Sequence, residues 1–390
     1  MRRPSTSCRA VLLLLATAPA VACRPPDSGN GEPTSIRIAT FNIEELSTEA
    51  LTSVDTAGKG VDPQAMAAAD VICTVRPDIL VLNEIDLDWD HPEDPALNAR
   101  RFADAYLASG ADPIEYAFAY AAPSNTGLLS GMDLNGDGTV AADKDRGTRE
   151  FGDDAYGFGT YPGQYAMAVL SRFPINGSGA RTFQRFRWSD LPGNHVPPDY
   201  YSPAAEAVLR LSSKSHWDLP VSFGSDTLHL WVSHPTPPVF DGPEDRNGRR
   251  NFDEIRFWVL YMRGDGRLVD DAGRRGGYAS KAPFVIAGDM NASPGGSEAV
   301  YDGVSAIDQL LDGPGVQDPG PKGVRTAEWS DGVRVDYVLP SADLRVDSSG
   351  VYDPDPEADP EGARRAATAS DHRLVWVDLE WPPEPKERSP

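Results

Sequence analysis

Apolar residues along this chain fall into many short runs, most of strand length, separated by Gly-, Pro- and Asp-rich connections. SIRIATFNI (35–43) predicts a first strand, apolar at Ile36, Ile38 and Phe41. PQAMAAADVICTV (63–75) reads as a helix by its Ala content; Pro77 ends it and opens DILVLNEI (78–85), a continuous apolar run of the kind a buried strand carries. NARRFADAYLAS (98–109) reads as a second helix and YAFAYA (116–121) as a third strand. The segments 165–175, 204–213 (AAEAVLRLSS), 228–234, 282–291, 333–341 and 372–381 follow as strands. NFDEIRFWVLYMRG (251–264) is an amphipathic helix with Ile255, Trp258, Val259 and Met262 on one side. Residues 121–163 form a long Gly/Asn/Asp-rich insertion, and DPDPEADPEG (353–362) and the tail 383–390 read as loop and disorder. Many strands with few helices suggest an α/β or α+β fold, two mixed sheets packed together with helices outside.

The first 22 residues stand apart from that pattern. Arg2, Arg3 and Arg9 precede an apolar stretch from Val11 to Ala16 and the small residues Ala20-Val21-Ala22, the layout of a signal peptide. Its apolar run is too short for a membrane-spanning helix. Cys23 follows directly, and A-V-A-C is similar to a bacterial lipobox with Ala20 in the place of the usual Leu. The expectation is a secreted or lipid-anchored extracytoplasmic protein, acylated at Cys23 if anchored, with residues 23–35 as a flexible tether. Cleavage leaves only Cys23 and Cys73, so no disulfide framework is expected. One domain over 36–382, expected as a monomer, is long enough to bury its own core.

The formal net charge is −23, and removing three arginines from 36 basic residues leaves 33 against 59 acidic ones, −26 for the mature chain. Such a balance argues against holding long nucleic acid by counterion release.

Six polar patches recur in the strand-like runs: Thr40-Phe41-Asn42, Glu84 in LVLNEID, His234 in WVSHPTPP, Asp289 and Asn291 in FVIAGDMN, Asp336 in RVDYVLP, and Ser370-Asp371-His372. Each is expected at or near the carboxyl end of its run, where sheets gather ligand sites. A carboxylate closing a buried run such as ILVLNE calls for an ion pair or a cation. Carboxylate and amide oxygens suit hard divalent ions, and a carboxylate on one imidazole nitrogen fixes a histidine tautomer for acid–base work. Together these are the groups that metal-assisted hydrolysis of a phosphate ester needs.

From Ile36 to Trp381 the order and residue types resemble the endonuclease/exonuclease/phosphatase superfamily, which includes pancreatic-type deoxyribonuclease, apurinic endonuclease and sphingomyelinase. The resemblance implies a four-layer αββα sandwich and a metal-dependent phosphoesterase. It assigns the metal (Mg²⁺ or Mn²⁺, with Ca²⁺ as an alternative) to Asn42 and Glu84, with Asp371 adding an oxygen. Asp289 would orient or deprotonate the attacking water, Asn291 bind phosphate, Asp336 and His372 form the acid–base pair, and His234 act as general acid or electrostatic stabiliser. The substrate stays open among small phosphoesters, phospholipid head groups and nucleic acid. Within the resemblance the alternatives are a nuclease and a catalytically idle surface binding module.

Further candidates lie outside the generic pattern. Lys214, His216 and Trp217 in LSSKSHWD combine a cation, an imidazole and a stacking face, and Arg249 and Arg250 are candidate phosphate clamps. Asp133, Asn135 and Asp137 fit the first, third and fifth positions of a calcium loop whose twelfth position is Lys144. His91, His195 and His229 carry no motif.

Overall fold

The computed structural model describes residues 34–320, 323–329 and 332–382; the signal segment, Cys23 with most of the tether, and the tail from 383 lie outside the described residues. The strands are β1 (Ser35–Leu46), β2 (Ile79–Ile85), β3 (Phe118–Tyr120), β4 (Met167–Ser171), β5 (Arg181–Thr182), β6 (His216–Phe223), β7 (Asp226–Ser233), β8 (Phe284–Asp289), β9 (Val300–Tyr301), β10 (Val304–Ser305), β11 (Asp336–Pro340), β12 (Val346–Val351) and β13 (Val375–Glu380).

Successive side chains of a strand point to opposite faces, and in the central strands both faces are apolar. In β1, Ile36 and Ile38 join one core while Ala39, Phe41 and Ile43 join another. β2 splits likewise into Ile79 and Val81 against Leu80 and Leu82, and β8 into Val285 and Ala287 against Phe284 and Ile286. Strands of this kind need cover on both sides. A six-stranded sheet in the order β12-β13-β1-β2-β4-β3 and a five-stranded sheet in the order β11-β8-β7-β6-β5 cover one another. Their inner faces share a core that includes Ile38, Val81, Leu219, Leu230, Val285 and Val338.

Helices Pro63–Val75 and Pro360–Ala369 cover the outer face of the first sheet, and helix Arg246–Met262 covers the second with Phe257, Trp258 and Tyr261. The architecture is therefore α+β, four layers in the order α-β-β-α. Each sheet holds one parallel pair, β1–β2 and β7–β8, among antiparallel neighbours.

Three segments depart from the sequence reading. AAEAVLRLSS is not a strand: Ser202 accepts from the Ala205 N–H at 3.2 Å, Pro203 occupies the first turn, and Pro203–Val208 is helical. Those start signals outweigh a weak apolar alternation. The strand that pairs with β7 is β6, masked in sequence by the interior Pro220. Past residue 353 the chain is not all loop: Asp359 accepts from the Gly362 N–H at 2.9 Å and caps helix Pro360–Ala369.

Candidate active site

The alternation that sorts the core also sorts the polar residues. Continuing the inward-facing series of β1 past Ile38 reaches Thr40 and Asn42; that of β2 reaches Asn83, that of β7 reaches His234 and that of β8 reaches Asp289. All five are buried. Glu84 takes the opposite position on β2, but its left-handed backbone (φ 64°) turns it out of the strand. Gly288 is required beside Asp289: φ is 151°, and a Cβ there would meet the Ser233 carbonyl oxygen at 2.1 Å.

Asp336 and His372 arrive differently from the expectation. Asp336 begins β11 and His372 precedes β13, so both sit at amino ends of strands. β11 and β13 run antiparallel to β8 and β1, which brings those starts to the same edge, with Asp336 directly opposite Asp289.

At that edge the Asn42 amide nitrogen donates to Glu84 Oε1 at 2.9 Å and to Asp289 Oδ2 at 3.0 Å, tying the two sheets together. Its oxygen accepts from the Glu44 N–H at 3.0 Å. Asn42 thus ties the two carboxylates through its amide nitrogen, and its oxygen keeps a second lone pair beyond the one that meets the Glu44 N–H. Nδ1 of His372 lies 2.9 Å from Asp336 Oδ2, within hydrogen-bond reach, and its Nε2 faces Asp289 Oδ2 and Asp371 Oδ1, each at 3.9 Å. His234 Nε2 stands 3.4 Å from Asp289 Oδ2 and 3.9 Å from Glu84 Oε1. Ser370 locks the last loop by donating to the Asn42 carbonyl (2.7 Å) and accepting from the His372 N–H (2.9 Å).

Burial alone would raise Asp289, but the charge on His372 and the His234 hydrogen bond hold its carboxyl well below the usual range. Burial raises Asp336. Burial would lower His372, yet Asp336 and then Asp289 outweigh it and raise the imidazole. His234 moves down, through burial and the nearby Lys214 charge, and so favours the neutral form.

The fit to a divalent ion follows from this charge balance. Ligand atoms of Glu84, His234 and Asp289 lie within 4.8 Å of one another, as do those of Asp289, Asp336 and His372. Buried Asp336 Oδ1 and Asn291 Oδ1 have no donor among the described residues. Excess carboxylate with orphaned oxygens is a hard-cation environment.

The remaining sequence candidates divide sharply. Asn291 joins the cluster (φ 48°), its amide nitrogen donating one N–H to the Pro235 carbonyl at 3.1 Å and its buried oxygen having no donor among the described residues. Asp371 stays at the rim, partly exposed, accepting from Trp329 Nε1 at 2.7 Å. Lys214 is buried and lines a cavity of about 440 Å³ beside Glu84 and His234; Arg250 lines it too. Three candidates point elsewhere. Arg249 donates to the Glu244 carbonyl and lies over Tyr301. His216 is enclosed by Phe257 and Trp258 with Nε2 at 2.8 Å from the Glu254 carbonyl, and Trp217 is in the inter-sheet core. The physical reason is the strand β6, whose side chains are covered on both faces. In the candidate calcium loop, Asp133 accepts from the N–H groups of Gly136 and Gly138 and Asp137 from that of Thr139, and the loop forms no three-ligand group among the described residues.

Sequence reasoning missed the supports. Asn83 accepts from the Asp289 N–H, Asn251 donates to the Thr236 and Met290 carbonyls, and Glu254 accepts from the N–H groups of Ser213 and Thr236. Polar residues inside an amphipathic helix and a buried strand were the available signal.

A model of the Endonuclease/Exonuclease/phosphatase family matches residues 39–372. Among solved structures, an endonuclease/exonuclease/phosphatase from Beutenbergia cavernae is 20% identical, with 89% of this chain and 72% of that chain covered and a TM-score of 0.50. A family protein from Leptotrichia buccalis is 13% identical, covering 89% and 100%, with a TM-score of 0.48. A mannosyl-6-phosphatase from Bacteroides thetaiotaomicron is 13% identical, covering 88% and 99%, with a TM-score of 0.44. Likeness at such identities concerns the fold alone. No curated protein matches the chain.

The enclosure of His216 has a measurable consequence. Burial lowers its imidazole from 6.5 to about 4, partly offset by the Glu254 carbonyl. The unfolded chain therefore binds the proton first, so stability is full above about 6.5 and falls as pH drops from there toward about 4. Between about pH 7 and about pH 5 the wild type should lose about 2 kcal/mol more than His216→Phe, read from urea midpoints. Parallel losses in the two proteins would show that His216 is not buried neutral.

Proposed function

This chain belongs to the endonuclease/exonuclease/phosphatase family, whose members are hydrolases of phosphoester bonds, and we propose that it cleaves phosphodiesters by in-line attack of an oriented water at the edge shared by the two sheets. The family is generally divalent-metal dependent, and the carboxylate cluster fits that requirement. Glu84 and Asp289, with His234 beside them, would hold the ion. When bound it neutralises charge on the phosphoryl oxygens.

The observation that carries the reading is the 2.9 Å pairing of Asp336 with His372 Nδ1, which leaves Nε2 facing Asp289 across 3.9 Å. Asp336 fixes the tautomer and keeps His372 able to carry a proton at Nε2. Asp289 orients the attacking water and takes one of its protons as the new P–O bond forms, while the free Asn291 oxygen accepts a hydrogen bond from the water's other O–H. His372 then passes a proton toward the leaving oxygen. His234, neutral and facing Asp289 through Nε2, keeps that carboxylate ionised and in place.

Hydrolysis of bis-p-nitrophenyl phosphate, p-nitrophenyl phosphate, plasmid DNA and sphingomyelin with Mg²⁺, Mn²⁺ or Ca²⁺ tests this. At least one should be cleaved with metal and spared in chelator; activity indifferent to chelator would overturn the metal reading. Glu84→Gln keeps the shape and removes the charge, so turnover at limiting Mg²⁺ should collapse; near-wild-type rates would remove Glu84 from the site.

The pair has its own signature. His372→Ala should lower kcat by about 10³–10⁴, Asp336→Asn by less, and the double variant little beyond His372→Ala, because residues acting as a unit are non-additive. Independent, multiplying losses would dissolve the pair.

We also propose an extracytoplasmic location, supported by the basic, apolar and small-residue order of residues 1–22 and by Cys23 after Ala22. Cys23→Ser should move the protein from the membrane fraction to the soluble pool or block processing. Mass spectrometry of an unmodified amino terminus would leave plain secretion instead.

A further inference from the structure

Near the carboxylate cluster the largely buried Lys214 carries an ammonium that makes no direct hydrogen bond or ion pair among the described residues. Lys214 is 6% exposed and lines the cavity of about 440 Å³ that also has Glu84 and His234 in its wall. The ammonium opens into the cavity without a hydrogen-bond partner, so an anionic group entering there would meet a free donor.

The backbone around Lys214 is fixed from three sides. Its carbonyl accepts from the Asn125 N–H at 2.9 Å, and the Asn125 side chain donates to the Ser212 carbonyl at 2.8 Å. Glu254 accepts from the Ser213 N–H at 2.7 Å and the Thr236 N–H at 2.6 Å. A Cβ on Gly157 would meet the Ser213 carbonyl oxygen at 1.8 Å, so the 121–163 insertion is seated directly on this turn. Burial pulls the ammonium below its ordinary range while Glu254, Glu84 and Asp289 act to keep its charge.

The rest of the cavity describes what else the ligand carries. Arg250 gives its N–H groups to the carbonyls of Leu211, Tyr156 and Arg210, with the Glu254 charge acting on it from nearby. Leu134 and Phe158 from the insertion, and Phe240 from the segment after β7, supply apolar wall. In a chain of net charge −23, this cavity wall carries Lys214 and three arginines against Glu84 and Asp153. The volume lies in the range of small-molecule pockets, about 300–1,000 Å³, the size of one compact organic group.

We infer that Lys214 anchors a phosphoryl oxygen of a small, soluble phosphoester whose organic group occupies this cavity. The inference rests on the phosphoesterase reading and narrows its substrate.

Inorganic phosphate is the probe, titrated calorimetrically into the full-length chain with Mg²⁺ present. Lys214→Met should weaken phosphate binding at least about ten-fold, equivalent to about 1.4 kcal/mol, and raise KM for bis-p-nitrophenyl phosphate more than it lowers kcat. Lys214→Gln, which keeps a polar head in the cavity, serves as the second neutral variant, with thermal melting to establish that each is folded. Wild-type affinity for phosphate in a folded neutral variant, or no phosphate binding by the wild type, would overturn the anchor. A wild type that cleaves only plasmid DNA or sphingomyelin vesicles would overturn the small-substrate assignment while leaving the hydrolase reading intact. A wild type inactive on every ester would instead remove the proposed function, and the phosphate titration would still decide Lys214.

Discussion

The site depends on one amide group. Asn42 Nδ2 donates to Glu84 of its own sheet and to Asp289 of the facing sheet, so two carboxylates that repel each other are held together by a shared donor. Asn83 adds a second tie from the first sheet, accepting the Asp289 N–H. Two apolar sheet faces would otherwise be free to slide, because hydrophobic burial is non-directional. Directional bonds at the polar edge set the register between layers, and the geometry of Asp336, His372 and His234 is measured from Asp289.

Pairing of histidine with aspartate is not what marks the site. His229 lies 2.6 Å from Asp218 and His195 2.7 Å from Asp253, both closer than the 2.9 Å of His372 and Asp336. Asp218 also accepts from Tyr261 and Asp253 from Trp188, so those pairs are closed within the fold. His372 differs in what its second nitrogen faces, namely another buried carboxylate with room between them. An imidazole with one nitrogen held and the other aimed at a second buried acid can move a proton; the second nitrogen of His195 meets only the exposed Asp302, at 3.6 Å.

How much of this was legible in the sequence follows from the strand period. Once β1, β2, β7 and β8 are placed, alternate residues alone send Asn42, Asn83, His234 and Asp289 to the same interior edge, so motif and period agree. Period failed where local rules compete. Pro220 hid β6, Ser202-Pro203 turned an apparent strand into a helix, and with β6 unseen His216 and Trp217 looked exposed. Nothing local to Lys214 foretells that it is buried without a direct hydrogen-bond partner, since Glu254, the acid that acts on it most, has both oxygens occupied by backbone N–H groups from distant segments. The orientation of the Asn42 and Asn291 amides was equally beyond reach, being set by Glu44 and Pro235.

The two parallel pairs explain the division of labour at the edge. β1–β2 and β7–β8 end together, and their carboxyl ends deliver Asn42, Glu84, His234 and Asp289, where open sheets collect ligands. The antiparallel strands β11 and β13 enter from that edge and contribute Asp336 and His372 at their starts. In the proposed mechanism the charge-holding groups thus come from strand exits and the Asp336–His372 pair from strand entries. The 121–163 insertion and the segment after β7 then shape the cavity wall around Lys214. A change of substrate within such an architecture requires different loops over an unchanged edge.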